Sequence, residues 1–180
     1  VALRAGSQQV GPDDGTLELR TYREGVAQKV GHDLIIDVGS WQATVDVGDD
    51  GTVAAVGLEA DPRSLAIREG RRGLKPLSDR DRREILKNID EKILHGEPIA
   101  FGSSDVEHAD GRLTVGGDLT MAGATRPARF ELDVAADGTV TGALPVTQSD
   151  WGIKPYRGLM GALKVRDSME VVFDVRLPAD

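Results

Sequence analysis

The chain has 180 residues, 22 Lys and Arg against 30 Asp and Glu, a formal net charge of −8, no cysteine and 39% hydrophobic residues. That size suits one domain with a real core. The charge argues against nucleic acid as the main partner and against docking on an anionic membrane surface. Without cysteine there are no disulfides or thiolate metal sites, and no run approaches ~18 apolar residues, so no stable membrane insertion is expected.

Residues 1–15 are polar and irregular and read as a flexible N-terminal tail ahead of a single domain over 16–180. They lack the apolar stretch of a secretory signal peptide. This points to the cytoplasm, or to the periplasm or outside if a leader has been removed.

Thr16 to Arg23 alternates, with Leu17, Leu19 and Thr21 on one face, and a short strand resumes at Val26 to Val30. Gly31, His32 and Asp33 form a turn. Leu34, Ile36 and Val38 then alternate, after which the apolar parity shifts to Trp41, Ala43, Val45 and Val47. A parity change at Gly39-Ser40 is what a β-bulge produces. A hairpin turn at Asp49-Asp50-Gly51 leads into a strand from Thr52 to Glu59, and Asp61-Pro62 ends it. Ser64 to Lys75, with Leu65 and Ile67 as its main apolar positions, reads as a loop or a single helical turn.

Ser78 with Asp81 is a capping box, and Ile85, Leu86, Ile89, Ile93 and Leu94 follow at helical spacing, predicting a helix from Asp79 to His95. Gly96 and Pro98 terminate it. Ile99 to His108 is a strand. The next stretch is the clearest hairpin in the chain. Leu113, Val115, Leu119 and Met121 alternate, Gly123-Ala124 turns, and Ala128, Phe130, Leu132 and Val134 alternate back. Beyond the Asp137-Gly138 turn, Val140, Gly142, Leu144 and Val146 share a face. Gln148 to Leu163 is irregular, and Val165, Met169, Val171, Phe173, Val175 and Leu177 make the last strand. The sum is an all-β fold: a closed antiparallel barrel of about eight strands with one inserted helix.

Four stretches carry a family resemblance. Gly117 to Pro127 (G-D-L-T-M-A-G-A-T-R-P) is similar to the G-x-L-T-x-x-G-x-T-[RK]-P hairpin of the YceI-like family. Lys75 to Ile85 resembles the start of that family's helical insertion, Ile99 to Val106 its I-x-F-x-S strand, and Ser149 to Pro155 the segment before its final strand. With Gly31-His32-Asp33, the resemblance spans Gly31 to Leu177. The family's usual opening, D-x-x-H-S-x-V-x-F, is missing; Leu17 to Gly25 stands there instead, so the ligand can differ from that of other members. The family is lipocalin-like and described as polyisoprenoid-binding. The resemblance therefore implies a long-chain apolar ligand inside the barrel: a polyisoprenoid, an isoprenoid quinone or a fatty-acyl lipid, which could co-purify. No cofactor is required.

The inward residues expected to meet that ligand are Leu34, Ile36, Val38, Trp41, Val115, Leu119, Met121, Phe130, Leu132, Val134, Val140, Leu144, Val171 and Phe173, with Trp151 and Met160 from the irregular segment. Small inward residues at Gly117, Ala128 and Gly142 are expected to leave the channel open, so that Gly142→Phe would block it in a folded protein. Burying about ten carbons supplies roughly 8 kcal/mol before ordering costs.

Trp151, Tyr156 and Met160 read either as a mobile lip over the mouth or as a loop pinned to the barrel. His32 beside Asp33 reads as an acid–base pair, a head-group anchor or a hydrogen-bonded structural histidine. Neighbours in a strand point to opposite faces, which weakens the pair. An enzyme acting on a lipophilic substrate through His32 and nearby carboxylates is the alternative to a binding protein, and a ligand-free structural or stress-response module is a third. Arg68, Arg71, Arg72 and Lys75 form a basic loop, either solvated beside Asp79 and Asp81 or facing a pyrophosphate head group. His32, His95 and His108 lack metal-ligand spacing. No nucleophile elbow, phosphate loop or dinucleotide fingerprint is present. Partners thus reduce to a small lipophilic ligand and a homodimer that the sequence does not decide.

Overall fold

The computed structural model describes residues 3–178. In chain order the elements are β1 (Gly6–Val10), β2 (Gly15–Thr21), β3 (Arg23–Glu24), β4 (Asp33–Val38), β5 (Trp41–Val47), β6 (Val53–Ala60), β7 (Leu65–Arg71), α1 (Asp79–Ile89), β8 (Ile99–Ala109), β9 (Arg112–Met121), β10 (Ala124–Val134), β11 (Thr139–Thr147), β12 (Arg157–Gly158), β13 (Leu163–Val165) and β14 (Ser168–Arg176).

One antiparallel sheet holds eleven of these strands, in the order β1-β5-β6-β8-β9-β10-β11-β14-β2-β4-β7. The two ends of that order are covalently continuous. β4 runs into β5 through Gly39-Ser40, and β6 runs into β7 through Asp61 to Ser64. At this corner Gly39 N–H donates to Ser64 O and Asp61 N–H donates to Ser40 O, both at 2.9 Å, so the ladder turns without breaking. β4–β5 and β6–β7 are therefore two long bent strands. Taken so, the sheet closes on itself as an eight-stranded barrel, with β1 added along the edge of β5. Closure removes the unpaired edges, and eight strands leave an interior that side chains or one ligand can fill.

The central hairpin forms as its alternation predicts, with Leu132 opposite Leu113 and Phe130 opposite Val115. Its turn is one residue earlier than expected. Ala122 and Gly123 take φ of 51° and 75°, the pair of positive angles that a tight hairpin turn needs. The helix also forms where predicted, with both halves of the Ser78–Asp81 capping box made. It continues past Ile89 as a wider turn through Leu94, and ends at His95 in a left-handed conformation.

Four expectations are corrected. The parity change at Gly39-Ser40 is the barrel corner, not a bulge. Most of residues 64–75 is not a loop: Leu65 to Arg71 is strand β7, paired with β4, and only Ser64 and residues 72–75 lie outside it. Its alternation is hidden because Arg68 is an extra residue, Ile36 pairing with Ile67 and Ile35 with Glu69. Val26 to Val30 is not a strand; Gln28–Val30 is one 3₁₀ turn. Most of the described part of the supposed tail is ordered, since Gly6 to Val10 pairs with Val47 to Ala43 and Leu3, Gln8 and Val10 are buried. Backbone ladder bonds do not require an apolar pattern, so a polar edge strand reads as a tail. Val1 and Ala2 lie outside the described residues.

Candidate functional site

Strand alternation sends Leu17, Leu19, Leu34, Ile36, Val38, Leu119, Met121, Phe130 and Leu132 into the barrel. They do not fill it. A cavity of about 600 Å³ runs through the interior. That is within the usual range for a small-molecule site and is space for about twenty water-sized groups. Its wall is drawn from nearly every barrel strand and from one face of the helical segment, where Ile85, Ile89, Ile93 and Leu94 close over the barrel. Apolar side chains dominate the lining. Phe101, Phe130 and Phe173, all three phenylalanines of the chain, form an edge-to-face row with centroids 5.2 and 5.6 Å apart, and all three border the cavity.

Of the residues expected to meet a ligand, Leu34, Ile36, Val38, Trp41, Leu119, Met121, Phe130, Leu132, Val140, Leu144, Val171 and Phe173 border the cavity. Val115, Val134, Trp151 and Met160 do not. Val115 is wholly buried and Val134 packs on the same core, so the barrel is solid there. Trp151 is buried, and its indole Nε1–H donates to Leu119 O at 2.9 Å. It pins its loop to the barrel and is not a mobile lip. Met160 is fully exposed. Sequence reasoning missed the helical face and the residues from Lys75 to Leu77. The helix's apolar period was visible, but nothing in it told a packed face from one above a void.

The glycines do not create the hollow. A Cβ on Gly142 would lie 2.6 Å from Leu132 Cδ2, 2.8 Å from Glu131 O and 2.8 Å from Phe173 Cε2. On Gly117 it would lie 2.2 Å from Gly102 O and 2.8 Å from Phe101 Cζ. Neighbouring side chains and backbone already occupy these positions. Gly142→Phe would therefore disturb the sheet before it blocked anything. The void exists because large side chains line a wide ring without meeting across it.

Polar groups gather at one end of the lining: Arg23, His32, Lys75, Asp81, Glu84, Asn88, Tyr156 and Lys164. His32 Nε2 is 2.6 Å from Lys75 O. Its ring lies against Gly73, where a Cβ would come within 2.0 Å. His32 thus ties the segment after β7 to the mouth. Asp33 turns the other way, accepting from Arg23 N–H at 2.9 Å and pairing with Arg72 at 3.5 Å, so the two make no dyad. His108 Nε2 lies 2.7 Å from Val53 O. Among the described residues no group of three or more His, Asp or Glu could hold a metal ion.

The acids at the mouth are already engaged. Hydrogen bonds from Ser78, hydroxyl first and then backbone, hold the Asp81 carboxyl below its usual range, and Glu84 pairs with Arg80 at 3.2 Å. Of the basic loop, only Lys75 reaches the cavity. Arg68 pairs instead with Glu18 at 2.5 Å and with Asp37 at 3.5 Å, Arg71 with Glu69 at 3.0 Å, and Arg72 with Asp33. Lys75 and Lys164 make no ion pair among the described residues and leave their ammonium groups for the mouth.

Solved structures share this architecture. BcnA of Burkholderia cenocepacia superposes with a TM-score of 0.62 at 16% identity, over 88% of this chain and 94% of that one. The YceI protein of Campylobacter jejuni does so with a TM-score of 0.60 at 10% identity, over 81% and 84%. A mutant of the latter, with a monobromobimane guest, matches equally well, at a TM-score of 0.60, 10% identity and the same 81% and 84%. At such identities the likeness establishes the fold alone. No curated protein is similar in sequence. The family model described as YceI-like domain matches residues 29–177, from the turn before β4 to the end of β14 and so every barrel strand but β2, and the chain belongs to the YceI-like family.

Proposed function

We propose that this protein is a non-catalytic carrier that holds one long-chain apolar lipid in its barrel. The ligand class is a polyisoprenoid, an isoprenoid quinone or a fatty-acyl lipid, with its tail along the cavity and its polar end at the mouth beside Lys75, Tyr156 and Lys164. The observation that carries this reading is the cavity of about 600 Å³ with an almost wholly apolar wall. Membership of a family known for lipid and polyisoprenoid binding supports it. At ~0.8 kcal/mol per buried CH₂, the tail outweighs any single polar contact, so affinity should follow chain length more than head group. An enzymatic reading has less support, because the His32 ring is held by a backbone carbonyl and Asp33 faces elsewhere.

Native mass spectrometry of the purified protein, before and after organic extraction, tests the proposal. A lipid adduct released chemically intact is the expected result. Release of a modified product, with turnover of added lipid lost in His32→Ala, would replace carriage with catalysis. Failure to take up any lipid after extraction and re-addition would leave a ligand-free module.

A further inference from the structure

The six large apolar side chains that stand exposed among the described residues are Val26, Val30, Leu74, Tyr156, Leu159 and Met160. They are far apart in sequence and lie on only three segments, residues 22–31, 71–77 and 153–166. The backbone binds these segments together around the cavity mouth. Ala27 N–H donates to Ala162 O at 2.9 Å, Leu74 N–H to Lys29 O at 3.2 Å and Arg166 N–H to Tyr22 O at 2.7 Å. β3 pairs with β13, and the Arg23 guanidinium donates to Gln28 O, Gly31 O and Arg72 O. Each segment also contributes to the cavity lining, through Val30, Lys75 and Tyr156 among others.

The same three segments concentrate positive charge. They hold nine of the chain's 22 Lys and Arg but only one of its 30 Asp and Glu, Glu24. Their net charge is +8 in a chain of −8, so the remainder carries −16. Arg71 and Arg72 are paired with acids, while Arg23, Lys29, Lys75, Lys154, Arg157, Lys164 and Arg166 make no ion pair among the described residues. Charges act over a Debye length of about 8 Å at physiological salt, so a surface approaching the mouth meets the rim and not the chain average. The expectation that this protein avoids anionic membranes, drawn from net charge, therefore does not extend to this face.

The tip of the β12–β13 hairpin adds a conformational observation. Leu159 and Met160 take φ of 49° and 56°, consecutive left-handed angles that glycine or asparagine would adopt at lower cost. Two long apolar side chains sit there and project into water.

We propose that this rim is a docking surface for an anionic lipid bilayer, with Leu159, Met160 and Val26 entering the interface and the surrounding cations meeting the head groups. The inference rests on the carrier reading for its purpose, since docking mouth-first lets a chain pass between bilayer and barrel without crossing water. Exposed apolar groups ringed by Lys and Arg are the combination that interfacial binding uses, and the continuity of the rim with the cavity favours lipid over a protein partner.

Co-sedimentation with phosphatidylcholine vesicles, with and without phosphatidylglycerol, tests this. Three proteins are compared: wild type, a Leu159→Asp/Met160→Asp variant and a Lys29→Glu/Lys154→Glu/Arg157→Glu variant. None of the substituted residues borders the cavity. Circular dichroism checks their folding, and a water-soluble fluorescent fatty acid measures the cavity separately. The wild type should bind the anionic vesicles and be released by salt. Each variant should bind them about a hundredfold more weakly while holding the soluble probe as tightly as the wild type. Docking is overturned if the wild type does not sediment with anionic vesicles, or if both folded variants bind them undiminished. Vesicle binding without probe binding would uphold docking and refute the carrier reading instead.

Discussion

The cavity's length sets a limit on the chain it can hold, and narrowing it should move that limit. Ala43 lies on β5, beyond the barrel corner from the mouth residue His32, and its side chain borders the cavity. Ala43→Phe places about six more carbons into a space of about 600 Å³, which holds about twenty water-sized groups. Room for about fourteen remains. A chain that needs the full cavity loses about six buried methylenes, roughly 5 kcal/mol at ~0.8 each, or more than a thousandfold in Kd. A chain of about ten carbons loses nothing. Isothermal titration of saturated acyl chains of graded length into the wild type and the variant reads this as a break in the affinity–length plot. The wild type should gain affinity steadily, while the variant should plateau near fourteen carbons. The reasoning fails if a folded Ala43→Phe variant binds the longest chains as the wild type does, or loses affinity equally at every length.

Three further predictions concern the frame that holds the cavity. Gly117→Ala should destabilise by about 3 kcal/mol, the upper part of the overpacking range, because its methyl would meet Gly102 O at 2.2 Å and Ser103 Cα at 2.7 Å; urea unfolding measures it. Trp151→Phe removes the donor to Leu119 O while keeping an aromatic ring, so it should cost about 1 kcal/mol, a fall in Tm of about 2–4 °C for a chain of this size, without changing lipid affinity. Burial works to raise the pKa of Glu18, but hydrogen bonds from Arg68 and Arg20 outweigh it and hold the carboxyl below its usual range. The stability from this lowered group is complete above the unfolded pKa of about 4.3 and is lost as pH falls through the folded value. Glu18→Gln should flatten the stability profile on that acid limb, with no change at neutral pH in its slope. An unaltered acid limb would place the titration on other carboxylates.

Much of this protein is written in local sequence. The capping box at Ser78 and Asp81, the period-two runs of β9, β10, β11 and β14, and the turn at Asp137-Gly138 each depend on residues within a few positions of one another, and each forms as its pattern implies, except that Val165, expected at the start of the last strand, lies in β13 and pairs with β3. Most of the strands facing the cavity were legible for the same reason: alternation fixes which side chains point inward. Closure was expected from the succession of hairpins, but the place where it is made was not legible. It depends on the corner where Gly39 and Ser40 meet Ser64 and Asp61, through backbone bonds that no side-chain pattern encodes. β1 and β7 escaped for related reasons, one being a polar strand held by its neighbour's edge and the other having its parity broken at Arg68.

The hollow itself belongs wholly to the tertiary structure. Sequence placed small residues at Gly117 and Gly142 and implied a channel past them, yet Phe101, Leu132 and Phe173 occupy those positions. Whether inward side chains meet across a barrel depends on its circumference and on how far each reaches, and both are set by strands distant in the chain. The rim is decided in the same way. Val26 and Leu74 are unremarkable where they stand in the sequence, Met160 stood out there only as a large apolar residue in an irregular segment, and only the folding of three separate loops onto one mouth makes them a surface.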